Sequence, residues 1–442
     1  MDPIPQSDSR ASPAEAQAVL RLATKLLYVN GQTTRNMIER MEGLARALGY
    51  SAELFPNWGE TVIRIAPSGD LGSQTILPVA GAPVGVDMNK VLETLKVVDA
   101  VSSGRLDVVE ARAALEAVAR LRSASTLRFA AFAGIGAAAL GIIFGAQRLA
   151  DLGLIALSAA AGALLRRVVA AREGGPLLQI LCAALLAGLA AAVTVTLAPG
   201  ANAYLVALCP CMVLMPGPHL LNAALDFAHL RMALGQARFG FAMLLTLLIC
   251  VGLVAGLSVA RQTLPPPEPV VPTPLAFDML AAGLAVAAYG TFFSMPWRAL
   301  PIPVSIGMLA HACRWVALSW GANAALGALL ACAIVSVLVT PIANRLHLPF
   351  AAFAFASVVS LIPGAYLFRL AAESAAVMNA GADANVQLLM APFEDGVTAG
   401  AILLAMGLGL SLPKLLMEGL FPRLAGIGRG AWLPSSLLRE QD

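Results

Sequence analysis

The chain is poor in charge. Only 12% of its 442 residues are Asp, Glu, Lys or Arg, against about 25% in typical soluble proteins, while 59% are hydrophobic. This shortage excludes a soluble enzyme and a disordered protein. The net charge is only +3 and no basic run occurs, which argues against a nucleic-acid partner.

Cysteine and histidine are also scarce, with six and four copies, and every cysteine lies in an apolar segment. This usage excludes a disulfide-stapled secreted domain. Cys209 and Cys211 form a C-x-C, but no histidine or second cysteine pair flanks it at metal-ligand spacing. The cysteines are therefore interpreted as apolar packing residues, and we expect no metal and no cofactor.

The few charges are unevenly distributed. Residues 1–126 contain 27 of them and residues 127–442 contain 28, although the second part is far longer. The first part has the composition of a water-soluble domain. The second has the composition of a polytopic protein whose main partner is the lipid bilayer.

The N-terminal part predicts a disordered tail at 1–14 and an α+β domain at 15–123. The first residues lack the apolar stretch of a secretory signal, so we expect this domain in the cytoplasm. No histidine or cysteine precedes position 126, which argues against an enzyme. The periodicity predicts helices from Pro13 to Gly31, 33–49, 89–102 and 108–120, and strands at 51–55, 61–66 and 74–79.

Residues 124–413 contain ten apolar runs of roughly membrane-spanning length. A proline-rich linker at 263–274 separates two modules, 124–262 and 275–413, and residues 414–442 form a tail. With the N-terminus inside, inner loops receive twelve Lys/Arg and the outer half four, which places both termini in the cytoplasm. The predicted spans are 127–147, 152–170, 177–198, 203–217, 239–260, 275–295, 302–320, 322–343, 348–369 and 392–412.

The two modules contain an internal repeat. Residues 214–228 align without gaps on residues 361–375, at an offset of 147. Each module has five helices, so the second must be inverted relative to the first. The predicted fold class is a polytopic α-helical membrane protein with about ten transmembrane helices in a 5+5 inverted repeat, preceded by the α+β domain.

Matched helix breaks occur in the repeat. Pro216 and Gly217 align with Pro363 and Gly364. Broken helices at corresponding points indicate a substrate site, because their backbone must be satisfied by protein or a water-filled cavity. The alternative is that both are plain helix ends at the membrane interface.

Polar residues follow each break on one helical face. In the first module they are His219, Asn222, Asp226 and His229, and in the second Tyr366, Arg369 and Glu373. We interpret Asp226 and Glu373 as proton-coupling residues, because a carboxyl group in low dielectric takes up a proton more readily. The alternative for 218–238 is an amphipathic helix on the cytoplasmic surface. The substrate-binding candidates are Asn222, Arg369, Tyr366 and His219.

Four other polar residues receive simpler interpretations. Glu394 and Asp395 would complement the N-terminus of the tenth helix, and His311 and Arg314 would lie at the membrane interface. Arg369 and Glu373, four residues apart, are spaced to form an ion pair.

The stretch Leu26–Glu39, followed by Leu44–Gly49, resembles the cytoplasmic domain of the threonine/serine exporter family. The Leu-Met-Pro-Gly segment at 214–217 and the Leu-Ile-Pro-Gly segment at 361–364 resemble its two five-helix membrane modules. The order of parts matches from about residue 15 to 412.

This resemblance implies export of threonine and serine across the bacterial cytoplasmic membrane, driven by the proton motive force. Related split systems point to dicarboxylates such as succinate as an alternative substrate. A membrane-anchored sensor or enzyme, with the N-terminal domain as its active part, is the competing class. A homo-oligomer is left open.

Overall fold

The computed structural model describes residues 12–68, 73–122, 124–259, 261–262, 273–345 and 350–420. Within them, α-helices dominate and one three-stranded sheet lies in the N-terminal domain. Most of the predicted N-terminal tail, linker and C-terminal tail lies outside the described residues.

The N-terminal domain contains every helix and strand that the periodicity predicts. Its antiparallel sheet has the order β1-β2-β3, with Leu54 opposite Ile63 and Ile63 opposite Leu77. These three side chains are buried on one face of the sheet, because residues directly opposite each other on paired strands point to the same face. The elements are α1 (Pro13–Val29), α2 (Thr34–Ala47), β1 (Tyr50–Asn57), β2 (Glu60–Pro67), β3 (Thr75–Ala80), α3 (Met88–Ser102) and α4 (Val108–Ala119).

In the membrane domain, eight described helices are long and apolar enough to cross a bilayer, and two bent helix pairs bring the number up to ten. The first module consists of α5 (Thr126–Ile143), α6 (Leu149–Ala171), α7 (Pro176–Leu197), α8 (Ala203–Val213), α9 (Gly217–Ala228) and α10 (Met232–Val259). The second consists of α11 (Leu275–Phe292), α12 (Pro301–Ser319), α13 (Ala324–Arg345), α14 (Phe350–Val358), α15 (Gly364–Ala380) and α16 (Val386–Leu420).

The last helix differs most from its prediction. The apolar run predicts a span at 392–412, but α16 begins at Val386 and continues to Leu420, through Pro392 and Pro413. Prolines are tolerated inside membrane helices where neighbours satisfy the freed backbone groups. A prediction from the apolar run alone therefore ends too early.

The two modules are built from corresponding helix contacts. The α7 helix packs on α10 as α13 packs on α16, and α9 packs on α10 as α15 packs on α16. The backbones of α7 and α10, and those of α13 and α16, approach each other closely. A Cβ added at Gly256 would overlap the Leu185 carbonyl, and one added at Gly409 would lie 2.6 Å from the Leu329 carbonyl. The modules meet through α5 and α11 and around the two helix bends.

The N-terminal domain packs against one end of this helical bundle. The backbone N–H of Met88 donates to the Phe293 carbonyl at 2.9 Å, and the Trp58 ring lies 5.1 Å from the Phe241 ring. The domain therefore contacts both modules.

Candidate functional site

The first helix break lies at Pro216, where α8 and α9 meet at a bend of 55°. Proline has no N–H, so the Met212 carbonyl, four residues earlier, lacks its usual helical donor. Tyr289 Oη, from α11 of the other module, donates to this carbonyl at 2.7 Å. The Met212 carbonyl thus has two donors, the Met215 N–H at 3.2 Å and a side chain from across the module boundary.

The second break lies at Pro363, where α14 and α15 meet at 49°. A 3-10 turn, Val359–Leu361, precedes it. Both predicted Pro-Gly pairs therefore sit inside bent helix pairs rather than at plain helix ends.

The two breaks contact each other. A Cβ added at Gly217 would overlap the ring of Phe355 on α14 and lie 2.8 Å from Ile362. A Cβ added at Gly364 would lie 3.0 Å from Met212. The glycines therefore allow each bend to approach the opposite module.

The polar face of α9 is buried against the N-terminal domain. His219, Asn222 and Asp226 are 8%, 4% and 1% exposed. Asn222 Nδ2 donates to the Gly31 carbonyl at 3.4 Å, and the His219 ring stands edge-on to Phe241 at 5.1 Å. The alternative of a wet amphipathic surface helix is therefore wrong for these residues.

Asp226 is paired with arginines. Arg238 Nη1, from α10, lies 3.0 Å from Asp226 Oδ2, and Arg231 Nη1 lies 3.8 Å from Oδ1. Arg238 is only 1% exposed, and its geometry with Asp226 is that of an ion pair rather than a hydrogen bond. Such a buried pair holds only while both charges are present.

Tyr28 of the N-terminal domain completes this contact. The Arg238 guanidinium lies 5.8 Å from the centre of its ring. Burial raises the pKa of Tyr28 to about 12, so the phenol stays neutral and donates to the Asn57 carbonyl at 2.7 Å. The positive charge of Arg238 in the membrane domain thus lies near the uncharged ring of Tyr28 from the N-terminal domain.

Arg35, at the start of α2, joins the N-terminal domain to two membrane helices. Its Nη1 lies 3.2 Å from His229 Nε2, at the end of α9, and 3.3 Å from Glu418 Oε2 on α16. Lys414 pairs with the same Glu418. A shift of α9 relative to α16 would change these contacts.

In the second module Arg369 has a different partner from the one predicted. It forms a bidentate pair with Asp395 of α16, with Nε–Oδ2 and Nη2–Oδ1 distances of 2.7 and 2.5 Å, rather than with Glu373. Its guanidinium also stacks 4.8 Å from the Tyr366 ring centre. Because α16 begins at Val386, Asp395 lies inside this helix, and the helix N-terminus role predicted for Glu394 and Asp395 is wrong.

Glu373 lies further along α15 than Arg369. It is partly buried, and among the described residues its Oε2 has no hydrogen-bond partner. The candidate residues thus form two groups: Asn222, His219 and Asp226 against the N-terminal domain, and Tyr366, Arg369 and Glu373 beside α16.

His311 lies near the middle of α12 (Pro301–Ser319) rather than near its end, and it is fully buried, so its predicted interfacial position is wrong. Its Nδ1 lies 2.9 Å from Asp278 Oδ2, and its Nε2 lies 2.6 Å from Ser360 Oγ, in the turn before the second break. The sequence did carry a signal, because an ionisable residue inside an apolar span is usually functional.

A cavity of about 560 Å³ lies on the other face of α9, between α14 and α16. Its walls are apolar, with Leu220, Phe227, Phe355 and Leu404 among them. A zwitterion would lose hydration there without gaining hydrogen bonds, so the polar groups around the breaks are better candidates for its recognition. Among the described residues, no His/Cys/Asp/Glu group could hold a metal ion.

These features define a multi-pass α-helical membrane protein with paired broken helices, a construction found in transporters. A family model described as a threonine/serine exporter matches residues 18–260, and a second with the same description matches residues 278–416. The chain belongs to the threonine/serine exporter family, which is a family of transporters and not of enzymes. No solved structure matches the chain.

Proposed function

We propose that the protein is a proton-coupled secondary transporter that exports threonine and serine across the bacterial cytoplasmic membrane. The observation that supports this most strongly is the contact of the two Pro-Gly breaks, Gly217 against Phe355 and Gly364 against Met212. Broken helices that meet between two modules are where secondary transporters bind substrate.

The modules form a 5+5 inverted repeat in this proposal. Corresponding helix contacts in the two modules and similar bends of 55° and 49° support it. The N-terminal domain contacts the end of the bundle to which α9, α10 and α16 contribute. With this end facing the cytoplasm, the orientation agrees with the loop Lys/Arg distribution.

Two ion pairs act as alternating gates. Asp226–Arg238 ties α9 to α10 beside the N-terminal domain, and Arg369–Asp395 ties α15 to α16. Opening one pair while the other holds would expose the breaks to one side at a time. Substrate is taken up by Asn222 and His219 on the inner side and released past Tyr366 and Arg369 on the outer side.

Asp226 and Glu373 carry the coupled proton. They are equivalent in the repeat, and both have an enclosed oxygen without a hydrogen-bond partner among the described residues. A proton on Asp226 would remove the charge that holds Arg238. One proton entering the cell would thus release the inner gate.

The test is transport by the purified full chain in liposomes. An imposed pH gradient is expected to drive labelled threonine uphill, with unlabelled serine competing and succinate not. Threonine flux that does not depend on the pH gradient would contradict proton coupling. Competition by succinate but not by serine would favour a dicarboxylate exporter.

A further inference from the structure

Three buried polar side chains meet beside the second break, and the gates described above do not use them. Asp278 is on α11, His311 is on α12, and Ser360 is in the turn Val359–Leu361. His311 has no solvent exposure, and Asp278 and Ser360 are each 5% exposed. A chain of hydrogen bonds enclosed in an apolar bundle is costly unless every member is satisfied.

We propose that His311 is a further protonation site, which transmits its charge state to the second helix break through Ser360. This inference rests on the proposed function, proton-coupled export, and adds a residue to its coupling machinery besides Asp226 and Glu373.

The two hydrogen bonds of His311 define what a proton changes. An ionised carboxylate only accepts, so His311 Nδ1 carries a hydrogen and donates it to Asp278 Oδ2 at 2.9 Å. In the neutral ring, Nε2 has a lone pair and accepts from Ser360 Oγ at 2.6 Å. A proton added to Nε2 reverses this second bond: the ring donates, and Ser360 must accept.

The reversal acts at the bend. Ser360 lies in the 3-10 turn that leads into Ile362 and Pro363, where the proline cannot donate to the Val359 carbonyl. When His311 is protonated, the hydroxyl hydrogen of Ser360 turns away from the ring towards another acceptor. Protonation therefore changes the hydrogen bonding of the segment that sets the angle between α14 and α15.

The charges around His311 are few. Asp278 faces it from α11, and Arg314, one turn along α12, interacts with Asp278. Tyr366 of α15 lies near Arg314. The α14 helix has no titratable residue. On α13, Cys332 lies against Gly409 of α16, and Arg345 is the last residue of the helix.

The test uses the full chain in liposomes, with labelled threonine. His311→Gln offers one donor for Asp278 and one acceptor for Ser360, as the neutral ring does, but its amide cannot take up the proton. We expect threonine exchange at equal pH to persist in this variant and gradient-driven accumulation to fall at least tenfold. Ser360→Ala, which keeps a titratable ring, should also lose accumulation. Ser305→Ala, which removes an exposed hydroxyl from α12, is the matched control for Ser360→Ala and should keep the wild-type pH dependence.

Gradient-driven accumulation by His311→Gln at the wild-type level, with the same pH dependence, would overturn the inference while leaving the exporter function intact. If the wild-type protein does not exchange threonine, the proposed function fails instead. A transport-independent readout then decides on protonation. In the NMR spectrum of histidine-labelled protein, a resonance that shifts with pH over the range used for transport and disappears in His311→Gln supports the inference, and its absence contradicts it.

Discussion

Arg238 Nη1 lies 3.0 Å from Asp226 Oδ2, and both side chains are almost fully buried where the N-terminal domain meets the membrane domain. The second module has the opposite arrangement, with the arginine on the helix after the break and the carboxylate on the last helix. Each bent helix pair is therefore tied to the next helix of its module by one buried or partly buried ion pair. The positions of these pairs lead to the following expectations.

Removal of one partner of the first pair should destabilise the fold strongly. Arg238→Ala leaves the Asp226 carboxylate buried without its closest cation, at a cost of about 3–5 kcal/mol. A clear fall in the thermal unfolding midpoint of the purified protein is expected, and Asp226→Ala in the same chain should restore part of it. Arg112→Ala breaks the exposed pair with Glu116 and should cost less than about 1 kcal/mol. Equal effects of the two arginine variants would rule out a buried pair.

The contact between the breaks should not tolerate an added methyl group at Gly217. Gly217→Ala places a Cβ in the ring of Phe355, so export should be lost or severely reduced. Phe355→Ala in the same chain opens space and should restore part of the export. Gly240→Ala in α10 has no atom within 4 Å of the new Cβ and is the matched control. If both glycine variants export alike, the breaks do not meet.

The second ion pair should require arginine rather than any cation. Arg369→Lys keeps the charge but loses the bidentate geometry and the stacking on Tyr366. One charge-assisted hydrogen bond is worth about 1.5–3 kcal/mol, which corresponds to a ten- to hundredfold change in the gate equilibrium. Threonine export should fall accordingly, while Arg172→Lys, on an exposed residue at the end of α6, should not change it. Export by Arg369→Lys at the wild-type rate would show that the Arg369–Asp395 pair does not act as a gate.

The carboxylates of the repeat should set the pH dependence of export. Asp226→Asn and Glu373→Gln remove the titrating group with little change of shape. Each is expected to flatten the dependence of threonine flux on the pH gradient, and their combination to abolish it. Flux from both single variants at the wild-type rate, with unchanged pH dependence, would show that the proton is carried elsewhere.

Local patterns predicted the elements that depend on local rules. The helices and strands of the N-terminal domain follow apolar periodicity, and the bends at Pro216 and Pro363 follow from the missing proline N–H. The sequence pattern predicts the polar face of α9, but it does not predict that the N-terminal domain covers this face. An amphipathic pattern shows that a face is polar without showing whether water or another domain covers it.

The partners of the charged residues could not be predicted from spacing. For Arg238 the sequence pattern predicts no partner, and for Arg369 it predicts a carboxylate four residues away. Their actual partners lie on neighbouring helices, where the rotation of each helix decides which side chains meet. Asp278 and His311 are likewise 33 residues apart, and only the packing of α11 on α12 brings them together.

The central claim is tested most directly by efflux from cells that produce the protein and are loaded with a threonine- or serine-containing dipeptide. The account predicts faster release of threonine and serine than from cells without the protein, collapse of this release when the proton gradient is dissipated, and no change in succinate efflux. Unchanged amino-acid release together with faster succinate efflux would contradict it.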